Sequence, residues 1–284
     1  MRIKELPSVV DFKIRNILFR HIHAPNTTTF LTAYPRSGSS WFRYCVEFLT
    51  KRPTVGLGRR GNTVFSHPRD TGVDEKARPI LHKNHLILAD NGQGYYFSDY
   101  RAKMEKFSKN RAHRDNRSEN KLILLLRNYK ECIPRHNSPT GKCDFDTFLQ
   151  QTSGQRQSFP PPDYIGPLLC FEEWEGPRLL IYYRDFIREP MRELANVLDF
   201  LGCDHLFLPE LARNFEVHRQ KSLQYYNRFG QNAQAHISRT GGDKNKLDFH
   251  SRRMDQKERM RWDQSLKTRY PGIFAKYLAC FEEK

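Results

Sequence analysis

The residues best suited to chemistry lie within LTAYPRSGSSWFRYCVEFL, residues 31–49, where an apolar run gives way to Arg36-Ser37-Gly38-Ser39-Ser40 and then turns apolar again. A strand, a tight loop and a helix in that order form an oxyanion site. Consecutive backbone N–H groups open outward at the start of a helix, and the helix dipole adds partial positive charge there. Gly38 lets the backbone approach an anion closely, and Ser39 and Ser40 offer hydroxyls. Arg36 adds a fixed charge with a planar donor fork. The triphosphate signature, Gly, four residues, Gly, Lys and Ser/Thr, is absent from the chain. Taken alone, the same five residues also suit an ordinary tight turn.

The elements that must position this loop are readable from apolar patterning. Residues 29–34, 121–126 and 178–183 are short apolar bursts bounded by polar or turn residues. They lack period-two alternation, which predicts strands covered on both faces of a parallel sheet. Helical patterns follow at 41–49 and in EPMRELANVLDFLG, where Met191, Leu194, Leu198 and Leu201 share one face. Pro190 suits the first turn of that helix and Gly202 its C-terminal cap. Alternating strands and helices predict an α/β domain. The charged stretch from residue 251 is helical in pattern, with Met254, Met260, Trp262, Leu266, Tyr270 and Phe274 as its packing residues. Residues 101–121 hold eight Lys/Arg against three Asp/Glu and read as a solvated basic insertion, and 154–162 as a proline-rich loop. No repeat, heptad or clean linker divides the chain, so residues 1–284 are expected to form one domain, with 1–27 as an N-terminal extension.

Bulk properties narrow the partners. Forty-eight Lys+Arg against 32 Asp+Glu give a formal net charge of +16, which points to polyanions: nucleic acid, anionic membrane or multiply phosphorylated ligands. Apolar and charged contents of 38% and 28% suit a globular chain long enough to bury a sizeable core. Cysteines 45, 132, 143, 170, 203 and 280 form no Cys-x-x-Cys pair and no zinc-finger spacing, so reduced thiols and a cytoplasmic compartment are expected. Residues 1–25 carry charges every few positions and no unbroken apolar segment, unlike a secretory signal or a membrane span.

Six blocks, in order, resemble the sulfotransferases that use 3′-phosphoadenosine 5′-phosphosulfate (PAPS). YPRSGSSW is similar to that family's 5′-phosphosulfate loop, usually Tyr-Pro-Lys-Ser-Gly-Thr-Thr-Trp. LHKNHL (81–86) resembles its Lys-Thr-His-Leu segment, and LILLLRNYKE (122–131) its strand and Arg-Asn block for the 3′-phosphate. YYRDFIREPMRELANVLDFLG (182–202) resembles the Tyr-Glu-Asp strand end and following helix. NFEVHR (214–219) resembles a segment whose Phe packs on adenine, and SRTGGD (238–243) a second 3′-phosphate clamp. The blocks span about residues 28–250, and the resemblance does not extend to 54–78, 91–120 or 136–176.

The resemblance implies a three-layer α/β/α fold around a central parallel sheet, of the phosphate-loop type. It implies sulfuryl transfer from PAPS to a hydroxyl or amine, leaving adenosine 3′,5′-bisphosphate (PAP). His85 would be the general base, since a neutral imidazole accepts protons near pH 7. Arg36 and Lys83 would stabilise charge on the sulfuryl group. Ser37, Gly38, Ser39 and Ser40 would hold the 5′ group, and Arg127, Arg135, Arg239, Thr240 and Gly241 the 3′-phosphate. Trp41, Tyr183 and Phe215 would face the adenine. Two departures stand out: Arg36 replaces a lysine, and Arg135 replaces a serine eight residues after the block's arginine. His82 and His85 are spaced like a metal pair but lack a third ligand nearby, and no metal is expected. The acceptor is expected to be a small molecule, with a glycan as the alternative. Two other readings are a phosphate-loop nucleotide kinase, which would need the missing lysine and Mg²⁺, and a non-catalytic basic module for glycan or nucleic acid. Phe107 is the single aromatic in 101–121, too few for base stacking.

Overall fold

The computed structural model describes residues 29–34, 36–56, 66, 68–84, 120–137, 162–172, 174–224 and 255–282; for 84, 134–137, 162, 163 and 224 it describes the backbone alone. Its centre is a five-stranded parallel sheet. β1 is Thr29–Thr32, β2 Thr54–Gly56, β3 Leu81–Asn84, β4 Lys121–Leu126 and β5 Arg178–Tyr182, in the order β2-β3-β1-β4-β5. Leu31 is level with Lys83 on one side and Ile123 on the other, and Leu124 with Leu180 further out.

Successive side chains of a strand point to opposite faces, and this alternation builds two cores. Phe30, Leu122, Leu124 and Leu126 pack under α3 (Tyr129–Asn137), α4 (Pro162–Glu172) and the C-terminal segment carrying α9 (Gln256–Arg269). Leu31, Ile123, Leu125 and Ile181 pack under α1 (Ser39–Thr50), α6 (Pro190–Leu201) and α7 (Leu208–Arg213). The fold is therefore α/β in three layers, as expected. Between these lie α2 (Pro68–Thr71), α5 (Tyr183–Arg188) and α8 (Phe215–Gln224); α10 (Pro271–Ile273) and one turn each of π- and 3₁₀-helix end the described chain.

β1 (TFLT) is buried throughout and β4 from Leu122 to Leu126, where a run of Leu and Ile without alternation requires cover on both faces. β5 departs from expectation: it is the sheet edge, with Arg178 exposed and Ile181 its one buried residue. Tyr183 also leaves the strand and opens α5. β2 and β3 had no apolar burst to announce them. The helix expected at 41–49 begins two residues earlier, at Ser39. α6 forms as its pattern predicts, with Pro190 at its start and Gly202 in the left-handed conformation as its cap. In α9, Trp262 and Leu266 are fully buried but Met260 is 58% exposed, so it does not pack. Met254, the extension 1–27, the basic stretch up to residue 119 and the loop at 154–161 lie outside the described residues.

From β1 the chain crosses to β2 and β3 on one side, whereas β4 and β5 lie on the other. Ligands of open parallel sheets bind beyond the strand ends where the order reverses. The loop after β1 sits at that point.

Candidate anion site

The loop folds as its composition requires. Ser37 N donates to Tyr34 O at 3.2 Å, closing a tight turn, and Gly38 takes φ 86° as the residue before α1. No side chain caps α1, and its first turn carries no carboxylate. Arg36 also sits in the left-handed region, at φ 68°. A non-glycine residue there is strained, a condition that recurs at functional sites.

Arg127, two residues before α3, crosses to this loop. Its Nη1 donates to the Arg36 carbonyl at 3.2 Å, its guanidinium lies 4.3 Å from the centroid of the Tyr183 ring, and its Nη2 is 3.9 Å from Glu131. Tyr183 also covers Gly38: a Cβ there would fall 2.1 Å from Tyr183 Cε2. Glycine is required at 38 for this close approach as well as for its positive φ. Loop, Tyr183 and Arg127 thus make one packed unit.

Lys83 enters from β3, whose strand runs beside β1. Burial holds its ammonium pKa well below the usual lysine value, and Arg43 and Arg36 push it further down. Three basic side chains, Arg36, Lys83 and Arg127, therefore gather around one loop.

Several buried donors here lack an acceptor. Ser37 Oγ, Trp41 Nε1 and Arg127 Nε are buried and have no hydrogen-bond partner among the described residues. Nearly all buried polar groups in folded proteins are paired, so three such donors around one loop make it the candidate place for an acceptor-rich ligand.

The aromatic residues adjoin this loop. Trp41 stacks on Tyr44 with centroids 5.6 Å apart and meets Phe215 edge-on at 5.2 Å. Tyr44 is hydrogen-bonded to His218 Nδ1 at 2.9 Å, and His218 lies 4.3 Å from the Phe48 ring. His218 thus seats α8, and with it Phe215, on α1.

Sequence reasoning missed a buried polar network behind the loop. Glu47 is fully buried and accepts from Thr54 N at 2.9 Å and Ser66 N at 2.7 Å. Arg43 donates to the Thr54 hydroxyl and carbonyl, both at 2.7 Å. The i, i+4 spacing of Arg43 and Glu47 on an otherwise apolar helix was the available signal.

The structure brings together Arg36, Ser37, Gly38, Ser39, Ser40, Trp41, Lys83, Arg127, Tyr183 and Phe215. His85, Arg239, Thr240 and Gly241 lie outside the described residues; Arg135 is on α3, its side chain likewise outside. Among the described residues there is no group of His, Cys, Asp or Glu able to hold a metal ion, and no helix is long and apolar enough to cross a membrane. Cys45, Cys132, Cys170, Cys203 and Cys280 are free thiols.

No family model matches the chain, and no curated protein does. Among solved structures it is similar to a mouse sulfotransferase, SULT7A1, complexed with PAP, over 69% of this chain and 67% of that one. Identity is 15% and the TM-score 0.40, a likeness too slight to assign a fold or a function.

Proposed function

We propose that the chain is a sulfotransferase that moves the sulfuryl group of PAPS to a hydroxyl or amine of a small-molecule acceptor in the cytoplasm. The observation that carries this reading is the set of unpaired buried donors, Ser37 Oγ, Trp41 Nε1 and Arg127 Nε, around the loop after β1. Each unpaired donor costs about 1–3 kcal/mol, and the like charges of Arg36, Lys83 and Arg127 repel. A bound nucleotide with two separate anionic groups relieves both. PAPS carries a 5′-phosphosulfate and a separate 3′-phosphate, which suits a loop without the triphosphate lysine and a second arginine at the end of β4.

The roles follow from chemistry. Arg36, always protonated, stabilises charge on the sulfuryl oxygens and the leaving phosphate without giving up a proton. The amides of the loop and the hydroxyls of Ser37, Ser39 and Ser40 hold the 5′ group. Lys83 neutralises the group in transit. His85, two residues further along the chain, takes the acceptor's proton. Arg127, with Arg135, Arg239, Thr240 and Gly241, holds the 3′-phosphate, and Trp41, Tyr183 and Phe215 face the adenine.

The test is transfer from radiolabelled PAPS across phenols, sterols, amines and oligosaccharides, with His85→Ala alongside and PAP affinity measured by calorimetry. Turnover that is lost in His85→Ala while PAP still binds supports the reading. Turnover with ATP and Mg²⁺ but none with PAPS overturns it, as does salt-sensitive polyanion binding without PAP binding.

A further inference from the structure

The apolar core between the sheet and the C-terminal segment contains an ion pair. Lys130 Nζ lies 2.7 and 2.9 Å from the two carboxylate oxygens of Asp263, and Lys130 is fully buried. The same ammonium donates to the Phe281 carbonyl at 3.1 Å, and the Tyr129 hydroxyl donates to Asp263 Oδ1. The core they enter includes Ile133, Leu168, Trp262 and Leu266. Taking two charges out of water is expensive, and apolar residues of similar volume serve folding as well or better. What such a pair adds is a fixed register between the elements that carry it. Here those elements are α9, with Phe281 in the segment that follows it, and the first turn of α3.

That first turn begins two residues after Arg127. Asn128 Oδ1 accepts from Lys130 N at 2.9 Å, and Asn128 O accepts from Glu131 N and Cys132 N at 3.0 Å, so residues 128–132 form one stiff unit. A third element grips Arg127 directly. The buried Tyr164 hydroxyl, from α4, donates to the Arg127 carbonyl at 2.7 Å. The Tyr164 ring lies edge-on to Tyr129 at 5.9 Å and to Tyr34, two residues past the end of β1, at 5.4 Å. The Arg127 backbone is therefore set from two sides by groups that are far from the loop in sequence.

We propose that Tyr129, Lys130, Asp263 and Tyr164 form a buried clamp that positions Arg127, and that through it the C-terminal helix sets the preference for a nucleotide bearing a 3′-phosphate. This rests on the reading of Arg127 as a 3′-phosphate ligand. The four are positioning residues; none need touch the nucleotide. Shifting the strand end they hold moves the guanidinium off one phosphate and gives up its bond to the Arg36 carbonyl. The loop before α1 keeps its own turn, closed by Ser37 N on Tyr34 O, and still holds the other phosphate.

The experiment compares calorimetric affinities for PAP and for adenosine 5′-monophosphate, which differ by the 3′-phosphate. The variants are the apolar replacement Tyr129→Phe/Lys130→Met/Asp263→Leu and the single Tyr164→Phe, both in the full chain. The triple variant is expected to keep its melting temperature within a few degrees and to lose PAP affinity by about tenfold, the scale of one hydrogen bond to a charged group. Its monophosphate affinity is expected to stay unchanged. Tyr164→Phe keeps the ring and loses one hydroxyl, so it shows the same selective loss at a smaller size, and decides the question if the triple variant does not fold. Equal weakening of both nucleotides, or a preference for PAP that survives in the variants, overturns the clamp. If the unaltered protein itself shows no preference for PAP, the reading of Arg127 fails instead.

Discussion

Arg36 combines a strained backbone with the charge proposed to act on the sulfuryl group, and one substitution separates them. Its φ of 68° places a non-glycine residue where L side chains cost about 1–2 kcal/mol. Arg36→Gly is expected to hold or raise the melting temperature while slowing sulfuryl transfer about a hundred- to a thousand-fold, the usual effect of removing one charge-stabilising donor. Arg36→Lys should retain measurable turnover. Full activity in the glycine variant would take Arg36 out of the chemistry. Lys83 gives a second prediction at this scale. Burial, Arg43 and Arg36 depress its pKa well below 10.5, and a bound anion draws it back up. In the pH range between its free and its anion-bound pKa, free Lys83 is neutral and liganded Lys83 charged, so PAP binding takes up a proton and weakens as pH rises. Calorimetry in buffers of different ionisation enthalpy measures that uptake, and Lys83→Met should abolish it.

Among the elements, α8 rests on α1 through Phe215 and through the imidazole of His218. His218 is buried against Tyr44 and Phe48, and burial lowers its pKa below 6.5. Lys221 and Lys51 push in the same direction, whereas Glu210 and Asp70 oppose them. The folded protein therefore binds this proton less readily than the unfolded chain. Stability from this group is complete above about pH 6.5 and falls as pH drops toward the folded-state pKa. Urea melts between pH 5 and 8 should show this slope, and His218→Gln should flatten it. An unchanged slope in the glutamine variant would move the acid sensitivity elsewhere.

For the whole molecule, a ligand that binds only the folded state stabilises every element at once. PAP at about a hundred times its dissociation constant should add roughly 2.7 kcal/mol. In a chain of this size that is a rise of about 5 °C or more in melting temperature. The rise should shrink with added salt, because the formal net charge of +16 attracts anions through a field that salt screens. A rise indifferent to salt would argue that the site's own charges contribute little.

The sequence by itself was sufficient for whatever depends on near neighbours. Arg36–Trp41 reads as a loop opening a helix because glycine, serines and the apolar face act within a few residues of one another. α6 is legible from its periodicity, its proline start and its glycine cap for the same reason. β4 announces itself as an unbroken apolar run and β1 as a short burst without polar alternation, since both faces are covered. β2 and β3 do not: TVG and LHKN are too short and polar to signal a strand, and they exist because the sheet pairs them. β5 reads as buried from its composition, but its place at the edge depends on strand order. Only the tertiary structure decided that Arg127 reaches the Arg36 carbonyl 91 residues away, that Tyr183 closes over Gly38, and that Lys130 meets Asp263 across 133 residues. Local propensity has no influence over such distances; layer packing and strand order do, and they assemble the site from residues that the sequence can only nominate.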